Sequence, residues 1–151
     1  MTELNEQHDI FVKHLKRFDL VLLHYRYKFQ NSFYAHPAAL PLESMFYIYA
    51  RAEKNLTIQF SFIINRVQQR RIEIEFRMND GEMGFFLLNE YQKRHQLEHK
   101  IETAFSDSCD FEVAMEKFFA DLKLAVETHL NDQISGFTFE RHNDLGLGKL
   151  D

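Results

Sequence analysis

Arg70-Arg71-Ile72-Glu73-Ile74-Glu75-Phe76-Arg77-Met78 is the stretch that decides the fold class. Ile72, Ile74, Phe76 and Met78 alternate with Arg71, Glu73, Glu75 and Arg77. A period of two places all four apolar side chains on one face of a strand and all four charges on the other. That is the pattern of a strand with one face on a core and one face in water. Upstream, Leu56–Ile64 repeats the pattern, with Ile58, Phe60, Phe62 and Ile64 against Thr57, Gln59 and Ser61. Met45–Ala50 is a third strand candidate, dense in aromatic and branched residues. The links Glu53-Lys54-Asn55 and 66–69 are short and polar. Short links join antiparallel neighbours, so the three strands read as a meander.

Working outward, the segment from about Leu4 to Tyr34 lacks Gly and Pro. Phe11, Leu15, Phe18, Leu22, Tyr25 and Phe29 recur at alternating intervals of four and three and lead on to Ser32/Phe33, which predicts one long amphipathic helix. Within it, Leu23, Tyr25, Tyr27 and Phe29 also alternate with His24, Arg26 and Lys28, as a strand would. The stripe suits a core-facing helix or a coiled-coil dimer seam, with the core as the preferred reading. His36-Pro37 ends the segment, and 35–44 reads as a loop. Asn79-Asp80-Gly81 marks either a hairpin turn into Met83–Leu88 or the start of a helix. The broad face formed by Met83, Phe86, Leu87, Tyr91, Leu97, Ile101, Ala104 and Phe105 favours a helix over 82–105. A break at 106–110 carries N-cap residues, and a second helix follows over about 110–131. Phe137–Glu140 is a possible short strand, and 143–151 has little to bury. The expected architecture is α+β: a long N-terminal helix, an antiparallel meander of three to four strands, and two C-terminal helices packed on one face. The expected organisation is one domain over 1–142 and a flexible tail over 143–151.

Composition supports a folded core. The chain has 151 residues, 45% hydrophobic and 15% aromatic, with 16 Phe, 6 Tyr and no Trp. A chain of this size buries roughly two-thirds of its unfolded surface without a staple. The single cysteine, Cys109, has no disulfide partner and favours a reducing compartment. The polar, acidic stretch Met1–Asp9 does not resemble a signal peptide, and apolar runs such as Leu20–Leu23 are too short to cross a bilayer. A cytoplasmic protein with no membrane association is expected.

The motifs that could carry chemistry are few. His95-Gln96-Leu97-Glu98-His99 has the H-x-x-E-H form of inverted zinc peptidases. At about 100° per residue, His95 and His99 fall on the solvent side of the helix expected over 82–105. They read as surface histidines and are at most weak metal candidates. Glu73 and Glu75 share one strand face, as Mg²⁺ ligands of a nuclease would. The spacing lacks the required Lys, and no Asp lies between Asp19 and Asp80. No P-loop, G-x-G-x-x-G or G-x-S-x-G occurs. No catalytic constellation and no cofactor are expected, and the protein reads as a non-enzyme.

Charge is unevenly spread. From Met1 to Asn79 the chain carries 11 Lys and Arg against 8 Asp and Glu; from Asp80 to Asp151 it carries 7 against 15, within a net charge of −5. Asp107, Asp110, Glu112, Glu116, Asp121 and Glu127 face only Lys117 and Lys123 in the same stretch. Such a surface steers a basic partner. Asp110, Glu112, Glu116, Asp121 and Glu127 are therefore the expected partner-binding face. The function expected is a protein-binding module: an acidic adaptor, immunity-type inhibitor or chaperone, as monomer or homodimer. The alternative places nucleic acid on a basic hairpin made by Arg66, Arg70, Arg71 and Arg77, with Gln68 and Gln69.

The segments Ile72-Glu73-Ile74-Glu75-Phe76, Asp80-Gly81, Phe85-Phe86-Leu87-Leu88-Asn89-Glu90-Tyr91 and His99-Lys100-Ile101-Glu102 carry a resemblance. Over about 45–105 the chain is similar to a bacterial domain of unknown function, found alone or fused to PD-(D/E)XK nuclease-like domains. It departs from that family in having no Trp and no evident strand between its last two helices. The resemblance implies an accessory module in a nucleic-acid or phage-defence context, with no catalytic residues to carry over.

Overall fold

A computed structural model describes residues 2–35, 42–65, 69–79, 83–96, 100–106 and 109–135. The elements are α1 (Thr2–His24), β1 (Lys28–Ala35), β2 (Leu42–Arg51), β3 (Leu56–Asn65), β4 (Gln69–Asn79), β5 (Met83–Leu87), α2 (Leu88–His95), β6 (Ala104–Ser106), α3 (Phe111–Glu127) and α4 (Asn131–Ser135). The fold is α+β, with a long N-terminal helix, an antiparallel meander and C-terminal helices. Strands β1 to β5 lie in chain order, and β6 pairs with β4. Strands β3 and β4 are those the alternation predicted, and β2 contains the aromatic-rich candidate Met45–Ala50.

Register aligns the alternating residues into rows. Tyr47, Phe60 and Ile74 lie side by side across β2, β3 and β4, as do Tyr49, Ile58 and Phe76. These six are buried. The opposite face carries Phe46, Ser61 and Glu73 in one row and Ile48, Gln59 and Glu75 in the next. Helices α1 and α3 cover the first face. Phe11 stacks on Phe62 with ring centres 5.2 Å apart, and Phe119 joins Phe11, Phe18 and Phe60. The core is thus built from benzyl rings, as the composition indicates. Edge and offset ring packing adds about 0.5–1.5 kcal/mol per pair beyond area burial. The two helices run in the same sense: Lys13 and His14 reach Glu112 at one end, and the Tyr25 hydroxyl donates to the Val126 carbonyl at the other. Among the described residues, no helix is long and apolar enough to cross a membrane.

The structure corrects two helical readings. The predicted helix over Leu4–Tyr34 stops at His24, and its second half is β1. Phe11, Leu15, Phe18 and Leu22 are buried as the stripe requires. Arg26 then adopts φ 70°. The Tyr27 N–H donates to the Leu22 carbonyl at 2.9 Å and the Arg26 N–H to that of Leu23 at 2.8 Å. These two bonds form a Schellman stop, at a position usually held by Gly. Arg26 is held there by two bonds to Glu53, at 3.0 and 2.9 Å.

The predicted helix over 82–105 is instead β5, α2 and β6. Asn79 pairs with Met83 and Met78 with Gly84, the hairpin alternative that Asn79-Asp80-Gly81 also allowed. Backbone pairing to β4 wins over the helical face because it completes an open sheet edge. Gln96, at φ 48°, ends α2. Beyond it the buried Gln92 amide accepts from the Ile101 N–H at 2.6 Å and donates to the Ile101 carbonyl at 3.3 Å. The Ile72 N–H donates to the Thr103 carbonyl at 2.8 Å, so the chain runs extended along β4 into β6. A strand therefore lies between α2 and α3, where the sequence reading left none.

The helix expected over 110–131 is α3, followed by the short α4. Asp110 caps α3 by accepting from the Val113 N–H at 3.3 Å. The proposed strand at Phe137–Glu140 and the tail over 143–151 lie outside the described residues, as do 36–41 of the loop read over 35–44; the rest of that loop is the end of β1 and the start of β2.

Candidate functional site

Strands β5 and β6 share the outer edge of β4 end to end: β5 pairs with Glu75–Asn79 and β6 with Gln69–Arg71. Phe105, the middle residue of β6, is buried against the ring edges of Phe111 and Phe118 at 5.9 and 6.2 Å. Ala104 and Ser106 stay exposed on either side. This alternation leaves a trough between β6 and α3 of about 520 Å³. Phe105, Phe118, Ala114 and Val113 supply its apolar lining, and Glu102, Asp110 and Asp121 supply carboxylates. Val113 is an exposed large apolar residue of α3, as is Leu124 further along the helix. Cys109 also lines the trough, half-buried.

The trough is electrostatically acidic. Its one lysine, Lys117, bonds Asp121 at 2.7 Å. The Asp121 hydrogen bond, the Asp121 charge and the more distant Glu102 charge together hold the ammonium above the usual lysine range. Lys117 therefore offsets Asp121 and leaves the Glu102 and Asp110 carboxylates on the same rim.

The five acidic residues predicted as one face do not lie together. At about 100° per residue, Asp110 and Asp121 share one side of α3, while Glu112, Glu116 and Glu127 lie about 100° or more away. Glu112 faces α1, where it accepts from Lys13 at 2.7 Å and contacts His14 at 2.9 Å. Those two bonds hold its carboxyl below the usual range. Glu112 is a helix-to-helix tie. Glu127 lies 4.0 Å from Lys123, and Glu116 is exposed. The sequence thus located two trough residues, Asp110 and Asp121, and missed Glu102, Phe105, Cys109 and Val113. Phe105 joins the site through β6, whose 3 residues are too few for a periodic signal, and β6 lies beside the α3 side that carries Val113.

The basic hairpin is also divided. Arg66 lies outside the described residues. Arg70 is buried and donates to the Gln7 side-chain oxygen at 2.5 Å. Arg71 pairs with Glu73 at 3.3 Å and Arg77 with Glu75 at 2.5 Å. The two glutamates of the strand are held by these arginines.

His95 is exposed at the last position of α2. Gln96 ends α2 directly after His95, and His99 lies outside the described residues. The His95 ring sits 4.4 Å from that of Tyr91, which also neighbours Phe86 at 5.4 Å and His129 at 6.1 Å. Burial, and secondarily the His95 charge, hold His129 below the usual imidazole value. Among the described residues, no three His, Cys, Asp or Glu side chains converge as a metal site would need. No family model, curated protein or solved structure matches this chain.

Proposed function

We propose that the protein is a binding module that docks an extended, basic segment of a partner protein in the trough between β6 and α3. The observation that carries this reading is the coincidence, beside β6, of an apolar floor and a carboxylate rim. A segment laid along β6 gains main-chain hydrogen bonds, as in β-strand addition. Its apolar side chains rest on Phe105, Phe118 and Val113. Its Lys or Arg side chains meet Glu102, Asp110 and Asp121. The acidic balance of the second half of the chain steers such a partner at low salt. The partner decides whether this docking serves an adaptor, an immunity-type inhibitor or a chaperone. A single free thiol suits work in a reducing compartment such as the cytoplasm.

The nucleic-acid alternative receives less support. Arg71 and Arg77 are neutralised within their own strand by Glu73 and Glu75, and Arg70 is turned inward to Gln7.

The test is a titration with a short peptide alternating Lys and Val, against its Glu–Val counterpart. The Lys–Val peptide binds saturably, and added salt weakens it as the charges are screened. Glu102→Lys/Asp121→Lys weakens it at least about tenfold, or about 1.4 kcal/mol. Asp110 stays in place because it caps α3. Equal binding of both peptides, or indifference to the double substitution, would refute the docking mode.

A further inference from the structure

We infer that β1 is a self-association edge, on which a second copy of this chain adds its own β1 antiparallel to form one continuous sheet. Strand β1 closes the sheet opposite to β5 and β6, and among the described residues no strand pairs with its outer side. Seven of its eight residues are exposed. Edge strands left open are ordinarily short, interrupted by Pro, or guarded by charge. Here Lys28 is the only charge, and residues 29–35 read Phe-Gln-Asn-Ser-Phe-Tyr-Ala. Phe29, Phe33 and Tyr34 are 53%, 44% and 54% exposed.

The register names the occupant. Pairing with β2 shifts between Phe29 and Asn31, a bulge that increases local twist and sets the first turn of β1 apart. From Asn31 to Ala35 pairing is regular, so this is the part that accepts another strand. A two-fold axis through Phe33 sets Phe33 opposite itself, Ser32 opposite Tyr34, and Asn31 opposite Ala35. Phe33 already stacks on Phe46 of β2, with ring centres 4.6 Å apart. The axis therefore builds a row of four rings, Phe46 and Phe33 from one copy and the same pair from the other. On the opposite face, Tyr34 lies against Ser32 of the second copy, and its hydroxyl donates to Glu43 at 3.1 Å. Because 29–35 carries no charge, two copies approach without like-charge repulsion. A strand from a basic partner would find no carboxylate on β1 itself. A two-fold contact is self-complementary by construction, the commonest way in which soluble chains pair.

Sedimentation velocity of the full chain over a concentration series tests this. The wild type shifts from monomer to dimer as concentration rises, and Phe33→Lys raises the dissociation constant at least tenfold. A second variant guards against misfolding of the first. Phe33→Cys in a Cys109→Ala background should form a covalent dimer under mild oxidation, because directly opposed residues of antiparallel strands have Cα atoms about 4.5–5.5 Å apart, within disulfide reach. Leu20→Cys, on the outer side of α1 and 76% exposed, should not. A wild type that stays monomeric at all concentrations overturns the proposal. So does a dimer that Phe33→Lys leaves intact, or equal cross-linking at positions 33 and 20.

Discussion

The sheet ends in two different ways. On one side, the edge of β4 is divided between β5 and the three-residue β6, and beyond β6 lies a trough rimmed by Glu102, Asp110 and Asp121. On the other, β1 presents eight residues with one charge and three exposed aromatic rings. Among the described residues β1 and β6 each pair with a single strand, so strand pairing alone does not separate the two edges. Side-chain chemistry does. The acidic edge admits an extended segment with opposite charge. The uncharged edge admits a strand equally free of charge, and the chain itself carries one. On the two proposals above, one sheet carries two interactions that do not compete.

Three perturbations break or sharpen that contrast. The largest acts on both edges together. Phe119 touches the rings of Phe11, Phe18, Phe60 and Phe118, and so joins α3 to α1 and the sheet. Phe119→Ala should cost about 3–5 kcal/mol, the range for truncating a buried aromatic residue. Urea unfolding measures it, and a loss below 1 kcal/mol would place the core elsewhere.

The second acts on one edge. Gln92 satisfies both backbone groups of Ile101 and so fixes the extended run that leads into β6. Gln92→Leu leaves those groups unpaired, at a cost of about 1–3 kcal/mol each if they remain buried. Hydrogen exchange should speed up along 100–106 while β1 and β2 stay as they were. Equal loss of protection at both edges would show that the two are not independent.

The smallest effect is pH-dependent. Burial holds His8 below the usual imidazole value, opposed by the Asp9 charge. The neutral ring pairs with the Tyr47 hydroxyl, which burial and the Asp9 charge push up to about 12. His129 is lowered too, first by burial. For both, the unfolded chain binds a proton near pH 6.5 while the folded chain does not. Their contribution is therefore present above that value and is lost as pH falls from about 6.5 toward the lowered folded values. Denaturation midpoints should drop on acidification across this window. His8→Gln should flatten the drop through the α1–β2 contact, and His129→Gln through the contact with Tyr91. A profile unchanged by either substitution would remove histidine burial as its cause.

The central sheet was legible because its strands are half-buried, and a period of two survives wherever one face meets water. The stretch of α1 from Phe11 to Leu22 was legible for the matching reason at the helical period. The stop at Arg26 was hidden, since the left-handed position carries Arg in place of Gly and is held by Glu53, distant in sequence. For β1, the same aromatic residues fit a heptad and an alternation, and only pairing with β2 decides between them. The region 82–105 misled for a related reason: Phe86, Tyr91, Ile101 and Phe105 are all buried, but in a strand, a helix and an extended run that happen to keep helical spacing. Acidity of the C-terminal half was visible in composition. Its division between the trough and the α1 contact was not, because that depends on which side of α3 the sheet covers.

The contrast between the edges rests most on the acidic trough, and backbone amide shifts during titration with the Lys–Val peptide test it most directly. The account predicts perturbations confined to 102–121, absent in Glu102→Lys/Asp121→Lys and undiminished in Phe33→Lys. Perturbations centred on β1, or none at saturating peptide, would contradict it.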